Sequence, residues 1–152
     1  MRRSFLAPLA IAALAVTPLL AAEALPWPWT SKMPPDPALV VLPKVEGVTA
    51  SIDKEIVNVA VKAMAPTAGY SELKLTPRIG DPKDRIFAFD IRGRAPQGNA
   101  AEALTPVALE VSYAGAPIGK FDVIEVYAND NCMGYSVTDA KQVECASKSV
   151  PQ

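Results

Sequence analysis

Four stretches of this chain alternate apolar and polar side chains with a period of two, and a strand is the element that turns such a period into one buried face. In Ile56–Met64, Val57, Val59, Val61 and Ala63 share a face opposite Asn58 and Lys62. Tyr70–Thr76 sets Leu73 and Leu75 against Glu72 and Lys74. Arg85–Arg94 sets Phe87, Phe89 and Ile91 against Asp90 and Arg92, and Val107–Tyr113 sets its odd-numbered residues against Glu110 and Ser112. Phe121–Ala128 is apolar on both faces apart from Asp122 and Glu125, the pattern of a central strand. A weaker first strand is placed at Ala38–Leu42 or Val45–Ile52. Between the runs lie Pro66-Thr67-Ala68-Gly69, Gly80-Asp81-Pro82-Lys83-Asp84, Ala114-Gly115-Ala116-Pro117 and Asn129-Asp130-Asn131, all turn-forming chemistry. The only helix-like stretch, Asn99–Leu104, is too short to matter. Short strands punctuated in this way predict an all-β fold, an immunoglobulin-like antiparallel β-sandwich of about seven strands.

The N-terminus follows a different logic. Arg2-Arg3 is followed by an apolar run from Phe5 to Ala22, broken by Pro8, Thr17 and Pro18, and then by Ala22-Glu23-Ala24. Basic, apolar and small-residue regions in that order form a secretory signal peptide, so residues 1–24 are expected to be removed. An uncleaved anchor is the alternative, since the run approaches the length that spans a bilayer. Arg2-Arg3-Ser4-Phe5-Leu6 also resembles the twin-arginine export motif, although the general secretory route is favoured. Residues 25–43 form a leader rich in proline, from Pro26 to Pro43, which cannot be helical. Within it, Trp27 and Trp29 are expected to pack on the domain, or else to contact a partner. Residues 44–152 are expected to form the single sandwich domain. The expected location is outside the cytoplasm, periplasmic or secreted, with no membrane attachment after cleavage.

Charge and residue usage exclude several functions. The 15 basic and 16 acidic residues leave no basic excess, and removing Arg2, Arg3 and Glu23 shifts the net charge only from −1 to −2. A nucleic-acid partner is therefore not expected. The chain has no histidine, which removes Ser-His-Asp and Cys-His hydrolysis, histidine-ligated zinc and facial-triad iron. Carboxylate chemistry, a Ser-Lys pair or carboxylate-bound calcium survive. Asn129-Asp130-Asn131 resembles the start of a calcium loop but lacks the glycine and distal glutamate such a loop requires. Adjacent Ser147 and Lys148 do not place an amine to deprotonate a hydroxyl. Arg78, Lys83, Arg85, Arg92 and Arg94 among Asp81, Asp84 and Asp90 read as a solvated, partly ion-paired sheet face, with an anion site as the alternative. No cofactor and no metal is expected. Cys132 and Cys145, an even pair in an exported chain, are expected to form a disulfide.

Pro66, Thr67, Gly69 and Tyr70 are the candidate contact residues, because Pro66 and Gly69 fix a tight connection while Thr67 and Tyr70 offer a hydroxyl and an amphipathic ring. The competing role for the same residues is a structural turn with Tyr70 starting the next strand. Ala65–Tyr70, with Leu75-Thr76-Pro77-Arg78 and Leu104-Thr105-Pro106, resembles a group of small secreted bacterial proteins of unknown function, a resemblance that implies no activity. Pro66–Tyr70 is also similar to the P-T-T-G-[YF] loop of chagasin-type cysteine-protease inhibitors, which implies an immunoglobulin-like fold whose loop enters a protease cleft. The chain departs from that family in having Ala65 where asparagine is usual and in lacking the glycine-rich and R-P-W loops, with Ala114-Gly115-Ala116-Pro117 near the latter's place. The expected function is a non-catalytic extracytoplasmic binding or structural module that meets an envelope or extracellular protein. The alternatives are a chagasin-like inhibitor and a carboxylate-dependent enzyme.

Overall fold

The computed structural model describes residues 23–28 and 35–151. Most of the expected signal peptide, and Trp29, lie outside the described residues. Ten strands follow in order: β1 (Leu25–Pro26), β2 (Leu39–Val41), β3 (Lys44–Asp53), β4 (Ile56–Thr67), β5 (Ser71–Pro77), β6 (Ile86–Arg94), β7 (Glu102–Ala114), β8 (Val123–Tyr127), β9 (Cys132–Ser136) and β10 (Lys141–Val143). They form a four-stranded sheet in the order β1-β7-β4-β3 and a six-stranded sheet in the order β10-β9-β8-β6-β2, with β5 on the other side of β6.

The period-two pattern does what its physics requires. Val57, Val59, Val61 and Ala63 of β4 are buried, and across the core they meet Phe89 and Ile91 of β6 and Ile124 and Val126 of β8. The two sheets thus pack face to face around one apolar core, and the chain is all-β as expected. Both Ala38–Leu42 and Val45–Ile52 contribute strands, where one was expected. β8 is central, between β9 and β6, as its two apolar faces imply.

Pairing differs from the antiparallel expectation at two places. β6 pairs with β8 in parallel, and β1 pairs with β7 in parallel, so both sheets are mixed. For β6 and β8 the reason is a crossing between layers: the chain leaves the six-stranded sheet after β6, traverses the other sheet as β7, and returns as β8 in the direction of β6. Nothing in a strand's alternation specifies that route. Immunoglobulin-like connectivity therefore stays an expectation.

The proline-rich leader supplies structure as well. Trp27 is 2% exposed and follows β1, stacking on Phe121 at 5.8 Å between ring centroids and meeting Phe87 edge-on at 4.9 Å. Such geometries add to the apolar area the rings bury. Asn129-Asp130-Asn131 braces the passage from β2 to β3. The Asn131 amide group accepts from Val45 N–H at 2.9 Å and donates to Val45 C=O at 2.7 Å, in the manner of a strand partner. The backbone N–H groups of Asn129 and Asp130 donate to Leu42 and Pro43.

Candidate functional site

Pro66, Thr67, Gly69 and Tyr70 come together at one end of the sandwich. Thr67 closes β4 with Glu102 as its Cα partner, while Ala65 pairs with Thr105, and the register slips between them. Pro66 occupies this bulge, where a residue without N–H costs the ladder nothing. Gly69 takes φ +86°, and a Cβ there would stand 3.2 Å from Pro96 Cβ, so glycine answers both a left-handed backbone and a close approach. That approach sets the β4–β5 turn beside the segment 95–101 that joins β6 to β7. Between them lies an open basin of about 410 Å³, lined by Thr67, Tyr70, Pro96, Gly98, Asn99 and Glu102 among others.

Tyr70 is half-buried and packs against the core margin. A Cβ on Gly93 would sit 3.1 Å from Tyr70 Cδ1 and 2.9 Å from Leu73 Cδ2, so Gly93 is what lets both side chains lie on β6. The turn's flank is held by Arg94, which donates through Nε and Nη2 to both Glu72 oxygens at 2.8 and 2.9 Å and reaches Asp36 at 3.3 Å. The bidentate contact with Arg94 holds the Glu72 carboxyl below its usual value and raises the Arg94 guanidinium.

Asp90 and Arg92 do not form the solvated face read from sequence. Asp90 is 2% exposed and Glu125 is fully buried, because the chain after β10 crosses back over the outer face of β6 and β8. Glu125 Oε1 accepts from the N–H groups of Ala146 and Ser147 at 2.6 and 3.1 Å, and Oε2 accepts from the Tyr127 hydroxyl at 2.9 Å. Arg78 donates to Asp90 at 2.7 Å and to the Ser149 hydroxyl and carbonyl oxygens, while its guanidinium lies 4.1 Å from the Tyr127 ring centroid. Ile79 and Val150 exchange two backbone hydrogen bonds. Cys132 is bonded to Cys145, which ties the start of this strap to β9. Burial first, and the Glu125 contact second, push the Tyr127 hydroxyl up to about 12. Burial of the two carboxylates is offset differently: Asp90 is ion-paired with Arg78 and Arg92, and Glu125 is hydrogen-bonded by backbone N–H groups and a hydroxyl. The two carboxylates on adjacent strands are thus engaged in holding the strap.

The sequence carries one sign of this network. Glu125 stands in the middle of a run that is apolar on both faces apart from Asp122 near its start, and a carboxylate so placed demands several donors. Ser147 and Ser149 gave no such signal. Among the described residues no group of three or more acidic, cysteine or histidine side chains could hold a metal. A concavity of about 700 Å³ lies against the four-stranded sheet, with Thr49, Ser51, Asn58, Ala60 and Ser112 of its outer face and the Glu110 carboxylate in its lining. Comparison with protein-family models, with curated proteins and with solved structures finds no match to this chain.

Proposed function

We propose that the chain is a non-catalytic binding module that works outside the cytoplasm and meets a protein partner through the end formed by the β4–β5 turn and segment 95–101. The observation that carries this is the basin between two connections whose backbones are set in advance by Pro66, Gly69 and Pro96. A surface that is already shaped loses little conformational entropy on binding. The Cys132–Cys145 bond is compatible with an oxidising compartment, and no described helix is long and apolar enough to cross a membrane.

The test is capture from an envelope extract with immobilised protein, followed by variants. Tyr70 is unsuitable because its ring is part of the packing, so Thr67→Ala with Asn99→Ala is the informative pair. Recovery of the captured partner should fall about tenfold, roughly 1.4 kcal/mol, with an unchanged melting temperature. Undiminished capture by the pair removes this end as the contact surface. The chagasin-like variant predicts inhibition of a papain-like protease at micromolar concentration, lost in the same pair.

A further inference from the structure

The strap formed by residues 144–151 is held in a way unlike the rest of the fold. Ala146, Val150 and Pro151 are exposed, Ser149 alone is buried, and no strap residue belongs to the apolar core. The strap therefore gains almost nothing from the hydrophobic effect. Its non-covalent attachment is polar. Glu125 accepts from Ala146 and Ser147 N–H, and the Tyr127 hydroxyl lies 3.3 Å from Ser147 C=O. Arg78 donates to Ser149, and Val150 bridges to Ile79 at the exposed margin. A hydrogen bond taken from water contributes a net amount similar to the cost of fixing one residue's backbone. The bonds to Glu125 and Arg78 are stronger than neutral ones, yet every residue of the strap has to be fixed. Ordering the strap and bonding it are thus close to balance, and the covalent tie decides which side wins. That tie joins Cys145 to Cys132, the first residue of β9 and the pairing partner of Tyr127.

The surface under the strap tolerates water. Asp90 keeps its ion pairs with Arg78 at 2.7 Å and Arg92 at 3.4 Å when the strap is gone. Glu125 keeps the Tyr127 hydroxyl and exchanges two backbone donors for water, which a carboxylate accepts without loss. The apolar core lies on the other face of the same strands, where Phe89, Ile91, Ile124 and Val126 point. β10 stays paired with β9. Both cysteines are half-exposed, within reach of a thiol in solution.

We infer that the Cys132–Cys145 bond is a redox latch on the strap, whose reduction frees residues 145–151 from β6 and β8 while the sandwich stays folded. The reductant is a dithiol. Its thiolate attacks one sulfur to give a mixed disulfide, and its second thiol resolves that bond. Cys132 and Cys145 end as thiols, having taken two electrons and two protons, and the dithiol leaves as a disulfide. The latch stays shut in an oxidising compartment, and a dithiol oxidoreductase is the class of partner that opens it. The latch does not depend on the proposed protein-contact end.

The test is amide exchange, followed by NMR on the purified full chain before and after dithiothreitol in native buffer. The bond should be reduced without denaturant. In the reduced chain, protection of Ala146 and Ser147 should fall below about tenfold, with Val59 and Val61 of β4 at least about a hundredfold more protected than they are. Reoxidation should restore protection to both strap amides. Reduced-chain protection of Ala146 and Ser147 above that value overturns the inference. So do strap and core amides that exchange together, or a bond that dithiothreitol reaches only in denaturant. Cys132→Ser with Cys145→Ser should show the profile of the reduced chain and no response to dithiothreitol. A double variant that fails to fold overturns the inference too, because release of the latch leaves the sandwich intact.

Discussion

Replacing Glu125 by glutamine exchanges one carboxylate oxygen for an NH2 group at the place where the C-terminal strap is fastened. The amide oxygen can keep the position of Oε1, which accepts from Ala146 and Ser147 N–H at 2.6 and 3.1 Å. The new NH2 group then faces the Tyr127 hydroxyl at 2.9 Å and Ser147 N–H at 3.3 Å, both of them donors to the original carboxylate. The hydroxyl can turn its proton to Ser147 C=O, already 3.3 Å away, but the backbone N–H cannot turn. Bonds to a charged acceptor contribute roughly 1.5–3 kcal/mol and neutral ones roughly 0.5–1.5, so losing charge assistance on two bonds costs about 2 kcal/mol. Relief from burying a charge offsets part of this, which leaves a net cost of about 1–2 kcal/mol. For a chain of this size the melting temperature should fall by about 4–10 °C. The local readout is amide exchange. Ala146 and Ser147 should lose protection in Glu125→Gln while Val59 and Val61, deep in β4, keep theirs relative to global stability. An unchanged melting temperature, or an undisturbed exchange rate at Ala146 and Ser147, would refute the role of Glu125 as the fastening of the strap.

The disulfide closes a loop with a sequence separation of 13, so Cys132→Ser with Cys145→Ser should cost about 3 kcal/mol in denaturant unfolding, and thiol labelling of the native protein should find none free. Ala140 holds φ +52° in the turn between β9 and β10, so Ala140→Gly should stabilise the fold by roughly 0.5–1 kcal/mol, read as a higher urea midpoint at unchanged slope. The Tyr127 hydroxyl, raised from its ordinary 10 to about 12, contributes stability that is complete below pH 10 and is lost as the pH climbs through about 12. Alkaline melting should therefore be flatter in Tyr127→Phe, and an unaltered slope would count against that origin. On the acid side, Asp122 is held below its usual value by Arg85, so its contribution is present above the ordinary carboxylate range and fades as the pH falls; Asp122→Asn should remove that part of the acid sensitivity.

Local information in the sequence was enough for the longer strands and for much of the core. The alternation in β4 and β7 announced which residues face inward, and the two apolar faces of Phe121–Ala128 announced a central strand, because side-chain direction in a strand depends only on position along it. The disulfide partners could be paired because no other cysteine exists. Gly69 and Pro66 marked a turn for reasons that lie in their own backbones. What the sequence could not supply was whatever depends on residues far apart along the chain. That Asp90 is buried follows from Ser149 and Val150 arriving over it after some sixty intervening residues, and no periodicity near Asp90 foretells this. The short β9 and β10 carry too few residues to show a period, and β1 is held as a strand by Tyr113 and Ala114 rather than by Leu25 and Pro26 themselves. The parallel pairing of β6 with β8 was likewise settled only in three dimensions, since it requires β7 to cross to the other layer between them. Alternation is a property of one strand, whereas pairing and coverage are contacts between segments, and their free energy exists only once those segments have met.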